Sequence, residues 1–210
     1  MALFYFIRKK EVKKEMKKIL IMISLILCLS LALLMAGCGG TSDYYNLSGW
    51  SPPSDSAFTS FVSSMNSPSK IASWIGSNCT YQISYETVIS PYEFWKTKIG
   101  DCSEGAALSS YVGHKNGYTT YQVYILYTDD KAHRICIYKS GSSYGYTSFH
   151  GTRTCIFTGY LYSSFKKCVE NWDSRTSRTV TSYAVYDWNG SRIETLNGME
   201  IVDRDIYDGE

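Results

Sequence analysis

A chain of 210 residues has room for a short leader and one domain with a real hydrophobic core. Of its 21 Lys/Arg and 19 Asp/Glu, seven basic and two acidic residues fall within positions 1–37, so the remainder carries 14 basic and 17 acidic residues. That body is neutral to slightly acidic and offers no basic footprint, so no nucleic-acid partner is expected.

Lys17 and Lys18 precede an apolar run from Ile19 to Ala36 that ends in Leu34-Met35-Ala36-Gly37-Cys38. A basic start, an apolar middle and small residues before a cleavage point predict a secretory signal over residues 1–37. The ending resembles a lipobox. That resemblance implies that Cys38 is acylated and holds the mature chain to the cell membrane, facing outside the cytoplasm. It departs at Met35, where that motif usually has Leu or another aliphatic residue. An uncleaved transmembrane helix is the alternative, because the run is nearly long enough to span a bilayer. Ala36-Gly37-Cys38 followed by Gly39-Gly40-Thr41-Ser42 instead reads as a cleavage site and then a tether. Met16-Lys17-Lys18 is a better opening for such a signal than Met1, which points to Met16 as an alternative start.

Residues 38–55 are rich in Gly, Ser, Thr, Asp and Pro and are expected to be that lipidated tether, with one domain over 56–210. Phe58, Phe61, Val62 and Met65 then recur at helical spacing. Pro68 reads as the first residue of a second short helix with Ile71, Trp74 and Ile75 on its apolar face. Ser90-Pro91-Tyr92-Glu93 has the form of a capping box and predicts a helix over 91–97. A further helix is expected from about 102 to 114, closed by Gly117 in a left-handed cap. From there the pattern turns to β-branched and aromatic runs at Thr119–Thr128, Ala132–Lys139, Tyr144–Phe149 and Arg153–Thr158. Leu161, Phe165, Cys168, Val169 and Trp172 return to helical spacing. Thr179–Trp188 and Ser191–Leu196 flank Asn189-Gly190, a strong hairpin signal. Helices first and strands after them predict an α+β domain rather than alternating βαβ units.

Seven cysteines are present. Cys28 lies in the signal and Cys38 is the anchor candidate, which leaves Cys79, Cys102, Cys136, Cys155 and Cys168. Export permits disulfides, and five is odd, so one thiol is expected to stay free while two bridges are possible. There is no Cys-x-x-Cys pair and the three histidines are scattered, so neither a metal site nor a cofactor is expected.

The stretch richest in chemistry is Trp95-Lys-Thr-Lys-Ile-Gly-Asp-Cys-Ser-Glu-Gly-Ala-Ala, ending at Ala107. Gly100 permits a tight turn, Asp101 can cap the helix and Glu104 can reciprocate. Cys102 then falls in the first helical turn, where free amides and the positive end of the macrodipole favour thiolate over thiol. Gly105, Ala106 and Ala107 let that helix press on a sheet. His133 lies 31 residues on, with one strand between, and alternation puts it on a face with Ile135 and Ile137, opposite Arg134, Cys136 and Tyr138. If the isoleucine face packs on the helix, the imidazole emerges beside the thiol, as a Cys–His pair for acyl transfer requires.

Gly100-Asp101-Cys102, the small-residue helix, the Gly117-Tyr118 helix end and the His133 strand together resemble the transglutaminase-like superfamily of papain-type thiol enzymes. The match runs from about Ser67 to Ser148 and takes in Asn78-Cys79-Thr80-Tyr81 and Ser90-Pro91-Tyr92-Glu93-Phe94-Trp95. It implies N-terminal helices with the nucleophile helix packed on an antiparallel sheet. It also implies a Cys–His–Asp triad that hydrolyses or transamidates peptide and amide bonds. Cys102 and His133 take the first two places. The third falls on Ser148, which can bond the imidazole but lacks the negative charge that would stabilise its protonated form. The implied substrates are peptides, proteins or cell-wall crosslinks. Ser148 in place of Asp also favours a degenerate domain that binds such polymers without turnover.

The remaining singled-out residues have plainer readings. His114 is expected at a solvated helix end, Gln82 in a loop facing water, and Cys136 in packing or a bridge. Trp95 fits a site wall and a core aromatic equally well.

Overall fold

A computed structural model describes residues 47, 49–83, 88–129, 131–151, 154–176 and 178–195. The chain divides into two units, 1–43 and 44–210, and every described residue belongs to the second. The secretory signal, Cys28, Cys38 and the Gly39–Ser42 segment lie outside the described residues.

Three short helices come first, each started by a side chain that accepts an orphan amide of the opening turn. Asp55 caps α1 (Ser56–Ser64) through Ala57 and Phe58, Ser67 caps α2 (Pro68–Asn78) through Lys70, and Ser90 caps α3 (Pro91–Thr97) through Glu93. Pro68 and Pro91 open the latter two helices, where proline's missing N–H costs nothing. Their large apolar side chains meet in one aromatic cluster. Phe58 stacks on Phe61 and lies against Tyr92, Trp95 and Tyr111, while Phe61 contacts Trp74. Trp95 is thus a cluster aromatic.

The cluster reaches into the segment expected to be a loose tether. Leu47 is buried, and Trp50 stands edge-on to Tyr111 at 5.1 Å between ring centres. The polar composition of 38–55 hid two side chains large enough to dock on the domain.

After α3, Lys98 takes a left-handed conformation (φ 58°) and turns the chain into β2 (Ile99–Gly100), which pairs in parallel with β1 (Thr80–Tyr81). This two-residue ladder is too short to leave a periodic signature. Then α4 (Cys102–Lys115) runs into Gly117, whose φ of 85° is the expected left-handed turn.

The remaining chain forms an antiparallel sheet of β3 (Thr119–Tyr127), β4 (Ala132–Ser140), β5 (Ser143–His150), β6 (Thr154–Phe157), β7 (Val180–Asp187) and β8 (Arg192–Thr195). Its order is β6-β5-β4-β3-β7-β8. One further helix, α5 (Phe165–Asp173), separates β6 from β7. It opens four residues later than Leu161, because Tyr162 first bridges Tyr144 and Ser164 supplies the cap. The fold is α+β.

Helices cover both faces of the sheet. Tyr138, Cys136 and Phe149 pack with Ala106, Leu108, Tyr111 and Val112 of α4. Ile135, Ile137, Val123, Ile125 and Tyr146 pack with Cys168, Val169 and Trp172 of α5. All five described cysteines are free thiols.

Close approach of α4 depends on its glycines. A Cβ on Gly105 would stand 2.7 Å from Cβ of Phe149, an atom fixed to the β5 backbone, and one on Gly113 would stand 2.7 Å from the Tyr138 ring. Replacing a helical glycine by alanine otherwise gains about 1 kcal/mol, whereas overpacking costs about 1–3 kcal/mol. Gly105→Ala is therefore expected to destabilise the domain by up to about 2 kcal/mol in urea unfolding. A raised midpoint would show that α4 does not press on β5 as described.

Candidate active site

The start of α4 is built from its own sequence. Asp101 accepts the amide of Ser103 at 2.7 Å, and Glu104 accepts the amide of Asp101 at 2.8 Å, which closes a reciprocal capping box. Gly100 leaves room for it, since a Cβ there would come within 2.9 Å of the Glu104 side chain. Glu104 is buried and also accepts the amide of Ile89, and burial raises its carboxyl above the usual range. Cys102 follows as the first residue of the helix.

The thiol is covered, with 8% of Cys102 exposed. The Arg134 N–H and the Tyr81 hydroxyl lie in hydrogen-bonding relation to the sulfur, and the Arg134 guanidinium acts on it as a nearby positive charge. All three favour the ionised form. Burial and the Asp101 carboxylate oppose them and win, so the thiol is pushed up to about 12. The sequence led to the opposite expectation. A helix tip contributes about 0.3–1 kcal/mol when exposed, which is less than the desolvation of a covered sulfur anion.

Pairing of β3 with β4 sets His133 opposite Ile125, on the face that packs against α5. Its ring stacks on Trp172 at 4.3 Å between centres, and its Nε2 lies 2.8 Å from Oγ of Ser148. Ser148 therefore meets the imidazole, in the position where the resemblance placed the orienting group. Burial, helped by His150 and Arg178, drives the ring down to about 3 and keeps it neutral. His150 shares this face and meets Trp172 at 5.0 Å.

The face assignment is the reverse of the packing expected from the sequence. The isoleucine face lies on α5, and the Arg134–Cys136–Tyr138 face lies on α4. Both faces of β4 are apolar and buried, so alternation separated the two sets without saying which helix each would meet. Among the described residues, no hydrogen bond joins Cys102 to His133. Of the three expected site residues, His133 and Ser148 are in direct contact; Cys102 has the Arg134 N–H on its sulfur and also acts on Tyr127, whose hydroxyl accepts from Trp172 beneath the His133 ring.

Three residues at these positions were not singled out as site residues: Tyr81, Arg134 and Trp172. Arg134 had a readable signal, namely an arginine within Ala132-His-Arg-Ile-Cys-Ile-Tyr138, where both alternating sets are otherwise mostly apolar. Trp172 showed only helical spacing, and Tyr81 showed nothing. His114 is half-buried and stacks on Trp188 at 4.0 Å, so its helix end is less solvated than expected. Gln82 faces water as expected, and Cys136 packs unbridged. No cluster of metal-binding side chains occurs among the described residues.

No protein-family model matches the chain, and no curated protein matches it. Among solved structures, it is similar to calcium-bound LapG from Legionella pneumophila, with a TM-score of 0.41 and 14% identity. The match covers 69% of this chain and 83% of that one. A likeness this loose assigns neither an activity nor a site residue.

The buried imidazole gives a pH-dependent stability. A histidine near 6.5 when unfolded and about 3 when folded leaves stability intact above pH 6.5 and erodes it as pH falls toward 3. The loss reaches about 2 kcal/mol at pH 5. Between pH 7 and pH 5, His133→Gln is expected to lose about 2 kcal/mol less than the parent chain in urea unfolding. Equal losses in the two proteins would place the imidazole in water.

Proposed function

We propose that the chain is a cell-surface thiol acyl-transfer protein of the cysteine-peptidase kind, with Cys102 as its reacting group and Cys38 as its lipid anchor. The observation that carries the reading is the placement of Cys102, in the first turn of a glycine- and alanine-rich helix with the Arg134 N–H on its sulfur. Donors gathered at that point serve an anion, whether the sulfur itself or the oxygen of a carbonyl under attack. The resemblance of Gly100-Asp101-Cys102 and its flanking segments to transglutaminase-like enzymes supports the same reading.

The chemistry would run through a thioester. The Cys102 sulfur adds to a peptide or amide carbonyl, the carbon–nitrogen bond breaks, and the leaving amine takes a proton. Water then breaks the carbon–sulfur bond and gives a carboxylic acid, or a second amine does so and gives a new amide. The proton acceptor in this scheme is His133, oriented by Ser148. In the described arrangement thiol and imidazole are both neutral.

A second reading is favoured by a specific observation. The imidazole packs on Trp172 and bonds a serine where a charged carboxylate would sit, which fits a degenerate domain that binds peptide or wall polymer without turnover.

Incubation with activated ester and amide peptides, followed by mass analysis of the Cys102 peptide, separates the two. The enzyme reading expects a trapped acyl adduct on Cys102 and a loss of turnover of about a thousandfold or more in Cys102→Ala, with peptide binding retained. Binding without adduct or turnover in the parent chain leaves the degenerate reading standing.

A further inference from the structure

We propose that Cys79 and Cys155 are a redox pair whose oxidation to a disulfide ties α2 to the edge strand β6. In the state described both are free thiols, and their pairing involves neither Cys102 nor turnover.

Topology removes the other partners that Cys155 could take among the described thiols. β6 is the edge of the six-stranded sheet, and β5 stands between it and β4. Cys136 on β4 is thus two strand spacings away, about 9.5 Å, whereas a disulfide needs Cα atoms within about 7 Å of each other. Cys168 enters the core under α5, while Cys155 packs on the core under α4. Cys102 belongs to neither core.

Cys79 is left, and the chain carries it to the same place. It is the C-cap of α2 and has extended backbone, so its side chain leaves on the same side as that of Tyr81, two residues on. The Tyr81 ring meets the Phe149 ring at 5.2 Å between centres, and Phe149 is the residue paired with Cys155. The two cysteines therefore flank one aromatic contact within one core. The helix that ends at Cys79 also packs along β6. Ser69, Ser73 and Ser77 of α2 share with Cys155 and Phe157 a cavity of about 390 Å³. Cys79 is buried, and Cys155 is half-buried at that cavity.

Access sets the order of events. The Cys155 thiolate attacks one sulfur of an incoming disulfide such as oxidised glutathione, and the other sulfur leaves as a thiolate. The Cys79 thiolate then attacks the Cys155 sulfur of this mixed disulfide, and the second half of the reagent leaves. The protein thiols lose two electrons and two protons, and the reagent disulfide becomes two thiols. The loop closed between positions 79 and 155 holds Cys102, His133 and Ser148. The bridge thus constrains the unfolded chain around the whole candidate site while Cys102 stays a thiol.

Peptide mapping by mass, after the folded chain has equilibrated with oxidised glutathione, tests the pair. Cys79 and Cys155 are expected in one linked species within the monomer, and the urea midpoint is expected to rise by about 1 M over that of the reduced chain. In Cys155→Ser the same treatment is expected to leave Cys79 unlinked and the midpoint where it was. Recovery of Cys79 and Cys155 as thiols or as separate glutathione adducts overturns the proposal. So does a link from either to another cysteine, a link found only in a dimer, or the same rise in Cys155→Ser. Mapping of the parent chain decides alone if Cys155→Ser does not fold. Absence of an acyl adduct on Cys102 counts against the enzyme reading only, because the bridge forms without it.

Discussion

The molecule is organised by the two-residue repeat of one strand with both faces buried. β4 runs through the middle of the sheet, with β3 on one side and β5 on the other, and helices cover it above and below. Successive side chains must therefore enter two separate cores. Arg134, Cys136 and Tyr138 enter the one under α4, and His133, Ile135 and Ile137 the one under α5. Nothing on this strand between Ala132 and Lys139 can turn to water, so each polar group must find its partner where parity puts it. The imidazole finds Trp172 and Ser148, and the guanidinium finds the surroundings of Cys102.

That constraint also decides the state of the thiol. Cys102 rises from an ordinary value of 9.0 to about 12, which disfavours its anion by about 4 kcal/mol. The positive end of α4 contributes only a fraction of this at the surface, and the Asp101 cap works against the sulfur. Position in a helix is a local property and was readable from Gly100-Asp101-Cys102. Coverage by Tyr81 and by a strand some thirty residues downstream is a tertiary property and was not.

The rest of the fold divides along the same line. The helices at 91–97 and from 102, the Asn189-Gly190 hairpin and the succession of strand segments along the chain were legible, because caps, turn residues and periodicity are set by neighbours in sequence. The parallel pairing of Thr80–Tyr81 with Ile99–Gly100 was not, since two residues have no period. Leu47 and Trp50 were concealed by polar neighbours and found only through the aromatic cluster they dock on. At the site, alternation sorted His133 from Arg134 correctly. It could not name the helix over each face, because Ile135 and Ile137 differ too little in apolar character from Cys136 and Tyr138.

What joins the site to the core under α5 is Tyr127. Its hydroxyl accepts the indole N–H of Trp172, on which the His133 ring stacks, and the same tyrosine feels the charge of Cys102. The ladder beside it is irregular: the β3–β7 pairing slips between Leu126 and Tyr127, so that Thr181 is left over, and Leu126 pairs directly with Ala132 at the start of β4. His133 is the next residue, and Arg134, whose N–H meets the Cys102 sulfur, follows it. Thiol and imidazole are each held neutral by burial, so a group that brings charge or water to this end of the sheet acts on both.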